Sequence, residues 1–180
     1  TCNEALLIRH LLKNSKDKQE KAYLLNYFLE SFRGTLFRQT MFAEFEQKAH
    51  EMAATGESLT SQSLCSIYKK LNEDYFGPDT VTDPEIQYEW ERIPHFYTPF
   101  YVYQYATGFS AAIAISRKIF NGEPGILEGY RKFLSGGCCD TPIELLKLAG
   151  VDMSHTGPVE EALKFFEELL NEFEELVHRF

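Results

Sequence analysis

Apolar residues recur at helical spacing from end to end of this chain, and no stretch alternates with the period of a strand. Glu4 to Leu12 reads as an amphipathic helix, followed by a polar turn at Asn14 to Lys18. From Gln19 to about Met52 the pattern predicts one long helix, apolar around much of its girth at Tyr23, Leu24, Tyr27, Phe28, Phe32, Leu36, Phe37, Met41, Phe42, Phe45 and Ala49. Gly34 inside it points to a bend or a close approach. Glu30 and Arg33 are spaced to pair, and Arg38, Glu44 and Glu46 read as paired or snorkelling charges. Further helices are predicted over Ser61 to Tyr75, over Glu85 to Glu91 behind Pro84, and over Phe100 to Phe120 with Thr98 as cap and Pro99 as first residue. Gly108, Ala111, Ala112 and Ala114 give that last helix a side for close packing. Ile126 to Leu134 and a helix capped by Thr141-Pro142 follow. The final helix, opened by Gly157-Pro158, carries a stripe at Val159, Ala162, Leu163, Phe166, Leu169, Leu170, Phe173, Leu176, Val177 and Phe180. The pattern predicts an all-α fold, a helical bundle with one long central helix, as a single domain or fragment over 1–180. Tyr27, Phe28, Phe42, Phe45, Phe166 and Phe173 are expected in the core.

Composition narrows the function. At 180 residues, 44% hydrophobic and 25% charged, the chain is long enough for an ordinary core. A net charge of −9 and a pI near 5.1 argue against a nucleic-acid partner, which needs clustered Lys and Arg. No apolar run approaches the length of a membrane span, and the amino end reads as neither signal nor transit peptide, so a cytoplasmic protein is expected. Cys2, Cys65, Cys138 and Cys139 form no Cys-x-x-Cys, which fits free thiols in such a compartment. The final segment sets seven glutamates against Lys164 and Arg179, most simply a solvated face opposite the stripe.

Chemistry is concentrated in one stretch. There is no Gly-rich phosphate loop, no Gly-x-Ser-x-Gly elbow and no His-Glu-x-x-His. Glu175 and His178 match a Glu-x-x-His pattern, but a carboxylate-bridged metal pair needs two such motifs and further glutamates. Residues 93–109, by contrast, hold His95 between two prolines together with Tyr97, Tyr101, Tyr103 and Tyr105. Ile93 and Thr98 precede prolines and are expected to be extended. Tyr101 and Tyr105 are four apart and share a helix face, with Tyr103 about 200° around from Tyr101 at roughly 100° per residue. On the residues alone two readings stand. These rings pack the core with their hydroxyls at its rim, or they form a set of phenol and imidazole donors aimed at developing negative charge.

Two long motifs carry a resemblance. Gly34-Thr35-Leu36-Phe37-Arg38-Gln39-Thr40-Met41-Phe42-Ala43-Glu44-Phe45-Glu46 is followed by Ile93-Pro94-His95-Phe96-Tyr97 and Pro99-Phe100-Tyr101-Val102-Tyr103-Gln104-Tyr105-Ala106-Thr107-Gly108. In this order they resemble oligoendopeptidase F, of the thimet-oligopeptidase-like zinc metallopeptidases. Thr1 to Glu4 and Tyr23-Leu24-Leu25-Asn26-Tyr27 are similar too, and the match runs from Thr1 to about Tyr130, with the final acidic helix a weaker part of it. The resemblance implies a zinc endopeptidase acting on short peptides. Its zinc ligands lie on a His-Glu-x-x-His helix and at a glutamate before the position of Thr1. The chain is therefore expected to be the C-terminal part of the catalytic domain, with no metal ligands of its own. Alone it should bind no zinc and cleave no peptide, its partner being the missing N-terminal part. Glu4 is expected in a plain salt bridge or behind a ligand. The resemblance further implies that His95 binds substrate and that Tyr103 is the oxyanion donor, with Tyr105 the alternative. Tyr97 and Tyr101 are candidates to line the cleft, and for Tyr101 core packing is equally open. The alternative to a peptidase is a metal-free helical module that binds peptides or proteins along the same wall.

Overall fold

In a computed structural model, residues 1–178 are described, and among them there are eight α-helices and no strand. These are α1 (Cys2–Asn14), α2 (Lys18–Phe32), α3 (Arg38–Thr55), α4 (Ser61–Phe76), α5 (Tyr103–Phe120), α6 (Ile126–Ser135), α7 (Pro142–Leu148) and α8 (Gly157–Val177). Two 3₁₀ segments, Pro84–Arg92 and Pro94–Tyr97, precede α5. The long helical run expected from Gln19 is present, but one π-helical turn, Arg33–Phe37, divides it into α2 and α3. Gly34 lies in that turn, and a side chain there would meet nothing within 4 Å. It therefore marks a change of helical pitch, not a close approach. The close approach falls at Gly129, where a Cβ would come 2.0 Å from the Leu148 carbonyl oxygen.

The chain forms two compact units, residues 1–33 with 107–180, and residues 34–106. In the first, Phe28, Phe32, Phe109 and Phe165 pack edge to face, with Phe32–Phe109 centroids 4.8 Å apart and Phe28–Phe165 at 5.7 Å. A second cluster joins Cys2, Ala111, Ala114, Ile115 and Tyr130, so part of the small side of α5 is used for close packing. Several expected positions differ. Tyr27 is 47% exposed and not in the core. Its hydroxyl donates to Glu4 Oε1 at 2.7 Å, at the surface. Glu4 thus takes a phenol hydrogen bond and not a salt bridge. The buried side of α2 is Leu24, Leu25, Phe28, Leu29 and Phe32. On α8 the buried line is Pro158, Ala162, Phe165 and Leu169, so Phe165 fills the place expected of Phe166. Phe166 and Phe173 are half-buried, and Leu163, Leu170 and Val177 are exposed. Phe180 of the expected stripe lies outside the described residues.

The second unit holds the stretch of interest. Its core is Met41, Phe42, Phe45, Tyr68, Leu71, Ile93 and Val102, with Phe96 and Trp90 packed against it. Helix α4 starts in a capping box, Thr60 and Ser63 exchanging backbone and side-chain hydrogen bonds. The 3₁₀ segment Pro84–Arg92 is tied down by one carboxyl group. Glu89, 8% exposed, accepts from the Tyr68 hydroxyl at 2.6 Å and pairs with Arg38 at 2.5 Å and with Arg92. Burial pushes the Glu89 carboxyl up, but the Tyr68 hydroxyl and the two guanidinium groups outweigh it and hold it below its ordinary value. Burial first, and then the bond to Glu89, push the Tyr68 phenol far up against the opposing pull of Arg38 and Arg92.

Candidate functional site

The stretch 93–105 is built by alternation. Pro94 starts a short 3₁₀ turn in which Thr98 N–H donates to the His95 carbonyl at 2.9 Å. Ile93 and Thr98 are extended, as each must be before a proline. Thr98 closes that turn and does not cap a helix. Pro99 and Phe100 form a further turn, so α5 begins at Tyr103 and not at Pro99. The reason is Phe100. At φ 59° it is the one non-glycine residue in the left-handed region among those described, a conformation that costs an L-residue about 1–2 kcal/mol. Ile93, Phe96 and Val102 turn inward to the core, and His95, Tyr97, Tyr101, Tyr103 and Tyr105 are left outside.

That exposure removes core packing as the reading of these rings in this chain. Tyr97 is 85% exposed, Tyr103 51%, and Tyr101 and Tyr105 38% each. They are not core residues. The His95 imidazole stacks on Tyr101 with centroids 5.6 Å apart and planes 10° from parallel, and meets the edge of Tyr105 at 6.0 Å. Tyr101 and Tyr105 sit edge to face at 5.5 Å, and the Tyr105 hydroxyl donates to that of Tyr101 over 3.4 Å. The Tyr101 hydroxyl is the main cause that raises the Tyr105 phenol above its ordinary value, keeping it a proton donor. Pro94, His95, Thr98 and Tyr101 line a cavity of about 260 Å³ beside these rings. The structure thus brings His95, Tyr101 and Tyr105 together. Tyr103 opens α5, and Tyr97 projects farthest into solvent.

Two groups that hold the stretch in place were given no such role by the sequence, and Glu46, expected to be paired or snorkelling, is instead buried on a backbone N–H. Glu46, 5% exposed on α3, accepts the Phe100 N–H at 2.7 Å. His50, one turn on, places its ring 4.7 Å from that of Phe100. The signal was available, because Glu46 stands four residues after Phe42 and three before Ala49, an acid on an apolar line. Glu89 likewise interrupts the apolar pair Ile86 and Trp90. Glu30 and Arg33 do pair at 2.5 Å.

The chemistry on offer is hydrogen-bond donation and ring stacking. Neutral phenol and imidazole groups can donate to an oxygen that becomes anionic, and flat exposed rings can hold an extended peptide. Among the described residues no group of three or more His, Cys, Asp or Glu is placed to hold a metal ion. The described residues therefore do not by themselves fit a zinc site. No helix among the described residues is long and apolar enough to cross a membrane.

The sequence matches the profile of peptidase family M3 over residues 1–165. The chain belongs to peptidase family M3. A relative from Bacillus subtilis, oligopeptidase PepF, is 53% identical over 178 residues, covering 98% of this chain and 26% of the relative's own length. The chromosomal oligoendopeptidase F of Lactococcus lactis subsp. cremoris is 51% identical over 99% of this chain and 30% of its own. The crystal structure of oligoendopeptidase-F from Enterococcus faecium superposes with a TM-score of 0.93 at 50% identity, over 97% of this chain and 33% of the other. The chain thus spans about a third or less of the length of these proteins.

Proposed function

We propose that this chain is the C-terminal part of a zinc-dependent oligoendopeptidase that hydrolyses peptide bonds in short peptides. It supplies the substrate and oxyanion side of the cleft, and alone it is inactive. The observation that carries this reading is the exposed His95–Tyr101–Tyr105 cluster, with Tyr103 exposed at the start of α5, in a chain of peptidase family M3. The zinc would be held by residues in the rest of the longer protein.

As a peptide carbonyl carbon becomes tetrahedral, negative charge gathers on its oxygen. A phenol that reaches this oxygen stabilises the transition state more than the ground state, which raises kcat. Tyr103 is assigned that donor role. His95, held face on by Tyr101 and edge on by Tyr105, is assigned to the substrate carbonyl or backbone, with Tyr97, Tyr101 and Tyr105 lining the peptide's path.

Steady-state kinetics of the full-length protein on a quenched-fluorescent peptide test this, with zinc content checked for each variant. Tyr103→Phe should lower kcat about 10²–10³-fold with little change in KM, the range for loss of one oxyanion donor. His95→Ala should lower kcat similarly or raise KM as well. Normal kinetics in both variants would remove the donor role from this stretch.

A further inference from the structure

We propose that Glu46 is a positioning residue for the histidine–tyrosine face, acting through Phe100. Tyr101 can stack on His95 only because the chain reverses sharply at Pro99 and Phe100, and Phe100 makes that reversal in a left-handed conformation that a phenylalanine avoids. Such a conformation persists only where its surroundings impose it. Helix α3 holds Phe100 at two points. The Glu46 carboxyl oxygen takes its N–H at 2.7 Å, and the His50 ring lies over its side chain. The spacing of Glu46 and His50, four apart, puts both on the same side of α3. A buried carboxyl group spent on a single backbone N–H is a poor use of burial for stability, since desolvation offsets the bond. It is a good way to fix one backbone torsion. Val102, next but one, is anchored in the core, so freedom at Phe100 would be taken up by the residue between them, Tyr101.

The kinetic arm of the test rests on the peptidase reading above, and the structural arm does not. In the full-length protein, Glu46→Ala and Glu46→Leu remove the acceptor, Leu while filling the space, and Glu46→Gln keeps an acceptor oxygen. Crystal structures of the three variants give the Phe100 φ and the His95–Tyr101 separation. Kinetics on the quenched-fluorescent peptide give kcat and KM. Loss of the acceptor should return Phe100 to negative φ, separate the two rings, and lower kcat by up to about 10²-fold, as a misplacement of about 1 Å does. KM should change less, and Glu46→Gln should restore both stacking and most of kcat. The proposal is overturned if the rings stay stacked without the acceptor, or if Glu46→Gln is as impaired as Glu46→Ala. It is also overturned if both acceptor-free variants fail to fold while Glu46→Gln folds, because Glu46 would then serve stability. If the wild-type protein cleaves no peptide, the peptidase reading fails while the crystal structures still decide the role of Glu46.

Discussion

Helix α8 and the stretch 93–105 are both rich in apolar rings, yet they use them in opposite ways. On α8 the helical period is unbroken after Pro158, and Ala162, Phe165 and Leu169 face inward together. In 93–105 two prolines and the left-handed Phe100 break the period, and inward residues separate outward ones. Ring content alone does not report burial. What does is whether the backbone keeps one period long enough to gather the rings on one side. The difference has a functional edge. Rings that satisfy a core leave little to offer a ligand, whereas His95 and the four tyrosines are held in place by residues that alternate with them and keep their own polar atoms outward.

Substitutions on the two sides of this comparison should separate stability from rate. The largest expected effect is at Phe165, which packs on Phe28 and Phe32 and lies under the guanidinium groups of Arg9 and Arg117 at 5.0 and 4.6 Å. Phe165→Ala should cost about 3–5 kcal/mol of stability in urea unfolding, with kcat kept in the folded fraction. Next comes Tyr103→Phe, with the loss of kcat given above and an unchanged unfolding midpoint. A drop in stability comparable to that of Phe165→Ala would place Tyr103 with the core rings instead.

Glu89 gives a smaller, pH-dependent effect. Its carboxyl is held below the ordinary value in the folded chain, so its stabilisation is present above the unfolded pKa, about 4.3, and is lost as pH falls through the folded value. Glu89→Gln should cost about 1–3 kcal/mol at pH 7. The gap between the two proteins should close as pH falls below about 4. A gap independent of pH would mean that the pairing with Arg38 and Arg92 contributes nothing. The smallest effect is expected at Tyr105→Phe, less than about 1–2 kcal/mol and little change in rate, because its hydroxyl makes only a long bond to Tyr101. A crippled Tyr105→Phe enzyme beside a normal Tyr103→Phe one would exchange their roles.

Much of this was legible in the sequence because helices are written in local period and punctuation. Thr141 and Pro158 mark their starts, and the all-α fold follows from spacing. What was not legible depends on distant partners. Whether Tyr27 is buried is decided by Glu4, 23 residues away. The start of α5 is decided by Phe100, held by Glu46 from 54 residues earlier. Phe165, and not Phe166, is the buried ring of α8, packed on Phe28 from more than a hundred residues earlier in the chain. For the candidate site, the histidine and tyrosines were visible as a group, and Tyr101 does meet Tyr105, although Tyr101 precedes α5 and shares no helix face with it. Its exposure was not visible, because period analysis assumes a helix where the backbone first turns.

The most direct test of the donor role is a crystal structure of the full-length protein with a phosphinic peptide, whose tetrahedral phosphinate oxygens stand in for the oxyanion. The account predicts the Tyr103 hydroxyl about 2.7–3.1 Å from one of those oxygens, with His95 on the same peptide unit. A peptide bound along the face with every tyrosine hydroxyl beyond hydrogen-bond reach of the phosphinate would contradict it, and would leave the stretch as a binding surface alone.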